Sequence, residues 1–421
     1  MKKEELKKQL MNLWKETFHD SDDYISLVFD SYFDKSFVEF EECDGEIVSS
    51  LIAIPYNFID VNNDHLKVLK DCDFLMSEKK NLKGLYLCGL STKKSFRGRG
   101  IMKKLIKNII SKLEKLNYDF CFLIPSDDRL RKYYESLGFI NAFNRSELLL
   151  DGYEFEKIIN KIIADDCDSV EFFLSKFNIS ELLVFDEKLK RNKDICSADY
   201  SDINIEELFE FFNECELKGC GLQIIHSLRD FKNVCFENYI SRGKIIISRD
   251  SENKINGISF IEFQKDKTDS CVVIKNIYYD SLSTGITLLF YLIKNYDINQ
   301  ICLYENSINP SLSSLIKNIC PECKFFANKP YGMLQFSKPL ENLKFCTNRI
   351  VSCKFENLVK NNGQSVSDDF YLKTDLNETL NISMCEKEIY RKESGGLKSI
   401  EDSEISKFKT YPIGTISLML D

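Results

Sequence analysis

Apolar positions recur along this chain with two periods, and the change from one to the other sketches its elements. Over the first 25 residues Leu6, Leu10, Leu13, Trp14 and Phe18 fall three and four apart, which predicts helix. Phe37 to Glu41 and Glu46 to Ile54 read as extended runs around Asp44-Gly45, the pattern of a hairpin. Leu85 to Leu90 reads as a third strand. After a turn rich in Gly and Arg, Ile101, Leu105, Ile106, Ile109, Leu113 and Leu116 form one apolar stripe of a long amphipathic helix. Phe120 to Ile124 is a further strand, closed by Pro125. A short helix from Asp127 to Leu137 then stops at Gly138, a residue suited to the left-handed turn that ends helices.

The same order returns later. Lys244 to Ser248 and Ile255 to Ile261 flank a polar turn, and Val272 to Ile277 is the next strand. A helix through Leu288, Leu289 and Leu292 leads to the strand Ile301 to Tyr304. Pro310 opens a helix to Ile319, and Gly332 to Phe336 closes the set. A repeat this long predicts duplicated domains rather than a solenoid. Beyond residue 340 short strand-like runs, Phe370 to Thr374 and Leu380 to Met384, alternate with polar turns such as Glu393-Ser394-Gly395-Gly396. The expectation is an α/β (α+β) chain in three parts: 1–150, a second copy of the unit at 151–340, and a small α+β domain at 341–421.

Composition narrows the class without naming it. Hydrophobic residues are 43% of the 421 and charged residues 29%, as in an ordinary globular chain. The formal charge of −9 disfavours a general polyanion binder, so no nucleic-acid partner is expected. No apolar run approaches the about 18 residues of a membrane span, and Met1-Lys2-Lys3-Glu4-Glu5 lacks a signal-peptide core, so the expected location is the cytoplasm, away from membranes. The 16 cysteines follow no repeated spacing and read as reduced, mostly buried thiols. Cys320-Pro321-Glu322-Cys323 is a single close pair, and His19, His65 and His226 lie far apart. No metal is expected, because a structural zinc site takes four ligands, and the same shortage of His argues against a Ser-His-Asp hydrolase.

The sharpest local feature is Arg97-Gly98-Arg99-Gly100-Ile101-Met102, between a strand and a helix. Glycines there let the backbone turn tightly and approach a ligand. The first helical N–H groups lack intrahelical acceptors and sit at the positive end of the helix dipole, and two arginines add charge. Together these can cradle a phosphate; a plain solvated turn is the alternative. This loop resembles the acetyl-CoA pyrophosphate loop of GNAT-type N-acetyltransferases. The resemblance extends over residues 3–145 and includes Tyr133-Tyr134-Glu135-Ser136-Leu137-Gly138-Phe139, similar to the family's tyrosine helix ending in Gly-aromatic. Met102 departs from the Gly or Ala usual at the sixth loop position. The multidomain enhanced-intracellular-survival (Eis-like) acetyltransferases tolerate a larger residue there. They are built from two GNAT units and a small sterol-carrier-protein-like C-terminal domain, a layout similar to the three parts read above.

The resemblance implies an acetyl-CoA-dependent N-acetyltransferase. Leu90, Ser91 and Thr92 would pair with the pantetheine arm, and Arg97, Gly98, Arg99, Gly100, Ile101 and Met102 would hold the pyrophosphate. Acyl transfer from a thioester to an amine needs a neutral amine, a donor to the developing oxyanion and a proton for the leaving thiolate. Tyr134 is implied as that proton donor, with Tyr133 the competing candidate; a phenol's pKa of about 10 lies near that of a thiol. Ile416, Leu418 and Leu420 alternate as in a docked strand. Docking would hold Asp421 inside the protein, and in Eis-like proteins the terminal carboxylate is the base. The acceptor would be a small-molecule or peptide amine. Glu39, Glu41 and Glu42 could attract its charge or simply be solvated. Asp280-Ser281-Leu282-Ser283-Thr284-Gly285 replaces the loop in the second unit, which is expected not to bind acetyl-CoA. Eis-like proteins form oligomers, so self-association is also implied. The alternative class is a non-catalytic acyl-CoA, lipid or small-molecule binder built on the same folds.

Overall fold

The computed structural model describes residues 2–61, 81–157, 178–182, 204–217, 221–265, 270–306, 311–320, 322–336, 369–373, 379–385, 388–393, 396–399 and 414–415. It is a mixed α/β fold whose compact units are not contiguous in sequence. The first comprises residues 1–19, 32–143 and 330–414, and the second residues 20–31, 144–329 and 415–421.

The N-terminal stripe makes two helices rather than one, α1 (Lys3–Phe18) and α2 (Asp22–Tyr32). The reason is local. His19 turns left-handed at φ 61° and its N–H closes α1 on the Lys15 carbonyl. Ser21 then accepts from the Tyr24 N–H (3.2 Å), which opens a new helix. In the first unit β1 (Phe37–Cys43) and β2 (Glu46–Val61) form the hairpin, its turn made by Asp44 and Gly45 at φ 53° and 82°. Two positive φ values match the twist of the flanking strands. β3 (Asn81–Thr92) pairs antiparallel with β2, and β4 (Phe120–Leu123) runs parallel to β3. The helix α3 (Ile101–Leu116) links them. It buries Leu105, Ile106, Ile109 and Leu113, and ends where Tyr118 N–H reaches the Leu113 carbonyl past a left-handed Asn117.

Next come α4 (Asp128–Glu135) and β5 (Ile140–Asp151). The strand beside β4 comes from much later in the chain: residues 333–336 pair antiparallel with residues 120–123.

The second unit contains β6 (Asn178–Leu182), α5 (Ile205–Leu217), β7 (Gly221–Ile225) and α6 (Leu228–Ile240). Then follows the repeated order: β8 (Lys244–Arg249), β9 (Ile255–Lys265), β10 (Ser270–Tyr279), α7 (Leu282–Asn295), β11 (Gln300–Asn306), α8 (Ser311–Ile319) and β12 (Lys324–Phe336), the last crossing back into the first unit. β10 and β11 are parallel, as β3 and β4 are, and residues 145–151 of β5 pair antiparallel with β11. Leu288, Leu289, Leu292, Leu312 and Ile316 pack on one face of this sheet.

In the C-terminal region β13 (Asp369–Lys373), β14 (Thr379–Cys385), β15 (Glu388–Glu393) and β16 (Gly396–Ser399) form a four-stranded antiparallel sheet. β17 (Gly414–Thr415) lies parallel to β5, with Gly414 opposite Phe143. No helix among the described residues is long and apolar enough to cross a membrane.

Candidate functional site

The site begins where two parallel strands stop pairing. β3 and β4 are matched at Gly84↔Phe120, Leu85↔Cys121 and Tyr86↔Phe122. β4 ends at Leu123 while β3 runs on to Thr92, so Leu87 to Thr92 have no strand partner on that side among the described residues. Backbone donors and acceptors left open in this way can pair with an extended ligand. On its other side the same stretch is firmly held. Its register with β2 shifts between Ser50↔Ser91 and Ile52↔Cys88, a β-bulge at Gly89 and Leu90. Ser49 Oγ donates to the Ser91 carbonyl (3.1 Å) and meets Thr92 Oγ1 at 2.8 Å, while Ser50 Oγ meets Ser91 Oγ at 3.0 Å.

The loop after β3 is built around two left-handed glycines, Gly98 at φ 77° and Gly100 at φ 75°. A Cβ added to either would meet no atom within 4 Å, so both face open space. Arg97 Nε donates to the Thr92 carbonyl (3.0 Å), which ties the loop to the strand end. Arg99 Nη2 donates to the Ser95 carbonyl (3.0 Å), and its guanidinium stacks 4.8 Å from the Phe96 ring centre. α3 opens at Gly100, whose carbonyl takes the Lys104 N–H (3.1 Å). It has no side-chain cap and no acid in its first turn. The N–H groups of Ile101, Met102 and Lys103 therefore lack intrahelical acceptors, at the positive end of a 16-residue helix. Met102 does not block this cradle, because it packs with Ile101 and Leu90 against the core beneath α3.

Tyr134 reaches the same core cluster from α4. Asp127 caps that helix, accepting from the Leu130 N–H at 2.7 Å. The Tyr134 carbonyl takes the N–H groups of Leu137 and Phe139 around a left-handed Gly138. Arg131 secures the helix with Nη bonds to Asn141 Oδ1 (2.7 Å) and the Pro330 carbonyl (3.0 Å). The Tyr134 ring is 7% exposed, and burial drives its phenol pKa well above the ordinary value, with smaller contributions from Tyr133 and Asp127. Burial thus makes it a weaker acid than a free phenol and widens the gap to a thiol from which the donor role was argued. Tyr133, half-buried beside it, is raised in the same direction by burial.

Asp421 lies outside the described residues, as does the strand-like run before it. Glu39 and Glu41 are occupied within the unit, by Lys112 and Lys104 of α3 respectively. Cys320 and Cys323 are buried in the core of the second unit. Among the described residues no group of three or more His, Cys, Asp and Glu could hold a metal.

The corresponding places in the second unit are filled by its own side chains. Ser281 caps α7, accepting from the Thr284 N–H (3.3 Å), and Thr284 Oγ1 donates to Asp280 Oδ1 (2.6 Å). β10 and β11 pair only from Cys271↔Gln300 to Ile274↔Leu303. Beyond that point Tyr279 OH donates to Glu305 Oε1 (2.6 Å), and the buried Glu305 also takes the N–H groups of Leu312 and Ser313. These bridging groups carry no sequence motif; only a buried Glu in an apolar strand hints at them.

Residues 4–139 match the acetyltransferase (GNAT) family model. No curated protein matches the chain significantly. Among solved structures it is similar to a GCN5-related N-acetyltransferase from Anabaena variabilis, at 10% identity and TM-score 0.57, covering 99% of this chain and 97% of that one. It is also similar to Eis1 from Mycobacterium abscessus, at 7% identity and TM-score 0.55, covering 100% and 98%. A third is a conserved protein from Enterococcus faecalis described as a probable N-acyltransferase, at 13% identity and TM-score 0.54, covering 95% and 84%. At these identities the likeness is one of fold.

Proposed function

Proceeding from the family match over residues 4–139, we propose that the chain is an acetyl-CoA-dependent N-acetyltransferase. The observation that carries this reading is the open end of β3 next to an uncapped helix with two left-handed glycines. Leu90, Ser91 and Thr92 offer their backbone to the pantetheine arm. Arg97 to Met102 receive the pyrophosphate, with N–H groups and guanidinium charge in place of a side-chain cap. Tyr134 gives its proton to the leaving sulfur. The carboxylate of Asp421, which lies outside the described residues, is assigned by the resemblance alone to take the proton of the acceptor amine.

The amine is a small molecule or a peptide amine. The second unit repeats the element order of the first and acts as scaffold, its donor cleft closed by Ser281, Asp280, Tyr279 and Glu305. Residues 341–421 form the small third domain, for which the four-stranded sheet β13–β16 is the support. Isothermal titration with acetyl-CoA, followed by a thiol-release assay across a panel of amines, tests the proposal. Binding and turnover are expected. Tight binding with no turnover on any amine would convert the reading to a non-catalytic binder, and no binding would refute both.

A further inference from the structure

α1 packs on β2 and β3, and one of its contacts with β3 falls on bare backbone. A Cβ on Gly89 would meet Trp14 Cζ3 at 2.3 Å, Cε3 at 2.6 Å and Cη2 at 3.2 Å, so the indole lies flush on the Gly89 backbone. Gly89 is left-handed at φ 58° and sits in the bulge between Cys88 and Ser91. A left-handed residue and a bulge each let a strand kink. Here something must select one kinked geometry, because Gly89 contributes no side chain of its own. Downstream the Ser49, Ser50, Ser91 and Thr92 hydroxyls fix the strand to β2. Upstream the pairing with β2 holds it as far as Cys88, opposite Ile52, and that with β4 as far as Tyr86. Between these anchors the indole fills the space where a Gly89 side chain would stand. It is 6% exposed, is supported by an edge contact with Phe18 (5.5 Å), and projects from the helix that buries Leu10 and Leu13.

We infer that Trp14 is a positioning residue for the acyl donor: its ring sets the bulge at Gly89 and so aims the Leu90 to Thr92 backbone at the pantetheine arm. This rests on the donor site proposed above. It differs from a packing role in what it affects. Loss of an ordinary core side chain from α1 lowers stability, whereas loss of Trp14 also loosens the donor strand. A smaller side chain leaves the bulge free to relax, and the edge amides lose their alignment.

The experiment uses the full chain and acetyl-CoA in a calorimeter, with thermal melts alongside. Trp14→Leu is expected to weaken acetyl-CoA binding about tenfold, Trp14→Phe to recover most of that loss, and Leu10→Ala to melt lower yet stay within about twofold of the starting affinity. Gly89→Ala in the Trp14→Leu background should cost less affinity than in the parent, because the steric conflict is gone. Unchanged affinity in Trp14→Leu, or an equal loss in Leu10→Ala, overturns the inference while leaving the donor site standing. A parent protein that binds no acetyl-CoA overturns the function and the inference together. Should Trp14→Leu fail to melt cooperatively, the Gly89→Ala affinity decides: a loss of about tenfold or more beyond what its lower melt explains is support, and an affinity within about twofold of the parent is a refutation.

Discussion

Replacing Gly100 by Ala separates what the loop costs the fold from what it does for a ligand. At φ 75° an L-residue is strained, and the usual penalty for left-handed backbone is about 1–2 kcal/mol. No steric penalty adds to this, since a Cβ there meets nothing within 4 Å. For a unit of this size each kcal/mol lowers the melting temperature by about 2–4 °C, so a fall of about 2–8 °C is expected. The ligand meets a different obstacle. A phosphate oxygen must come within about 2.7–3.2 Å of the helix N–H groups, and the new methyl occupies that approach. Acetyl-CoA affinity should fall at least about tenfold, or about 1.4 kcal/mol, beyond anything the melt explains.

Gly45 provides a matched control. It is also left-handed, at φ 82°, also has open space at its Cβ, and lies in the β1–β2 turn. Gly45→Ala should therefore show the same thermal loss with unchanged affinity. Calorimetry with acetyl-CoA and melts on both variants make the comparison. If Gly100→Ala binds as tightly as the parent, or Gly45→Ala loses as much affinity, the cradle is misassigned.

Tyr134→Phe should lower turnover by about 10²–10⁴-fold while acetyl-CoA affinity holds. Because burial raises the phenol pKa, the parent's rate should show no alkaline limb from this group below about pH 10, and such a limb that vanishes in Tyr134→Phe would contradict the assigned environment. Titration should give one acetyl-CoA per chain, the second unit being closed by Ser281 and Glu305; two equivalent sites would refute that closure. Stability should decline with alkaline pH. Burial pushes the Cys88 thiol up to about 12 and raises Cys121 and Cys235 as well. A raised folded pKa favours the fold below the unfolded thiol value of about 8.5 and loses that contribution as pH climbs toward 12. Melts across this window should show the loss, and Cys88→Ala should reduce its slope; an unchanged slope would remove Cys88 from the account.

Periodicity was enough to find most of the strands and helices around the donor site. Ile101 to Leu116 is a stripe no other element could bury, and Asp44-Gly45 between two extended runs leaves little but a hairpin. What the pattern missed was set by single backbone events. The break between α1 and α2 depends on His19 turning left-handed, which apolar spacing does not register. The partner of β4 lies in β12, a pairing that no local signal encodes because register between distant strands depends on the whole sheet. At the candidate site Gly98 and Gly100 stood out in the sequence, whereas Gly89 was read only as part of a strand. Trp14, far away in sequence, fills the space beside it, and only the packed structure brings the two together. For Glu39 and Glu41 the sequence left two readings, attraction of an amine or a solvated face, and α3 presents a lysine to each.

The two units illustrate how little separates an open cleft from a closed one on the same scaffold. Each has a parallel strand pair that stops matching part-way and a helix that starts beside the gap. A helix N-terminus without a cap forgoes about 0.5–2 kcal/mol, and unpaired strand amides add to that cost when they are shielded from water. In the second unit Ser281 recovers the cap, and Glu305 satisfies two N–H groups and a phenol at once. In the first unit nothing within the described residues does so, and open groups remain at two places, the free edge of β3 from Leu87 and the first turn of α3 from Ile101 to Lys103. A fold selected for stability alone would fill such gaps, as the second unit does with Ser281 and Glu305. Their openness in the first unit, next to two arginines and a buried phenol, is what a ligand with an amide arm and a diphosphate would complete.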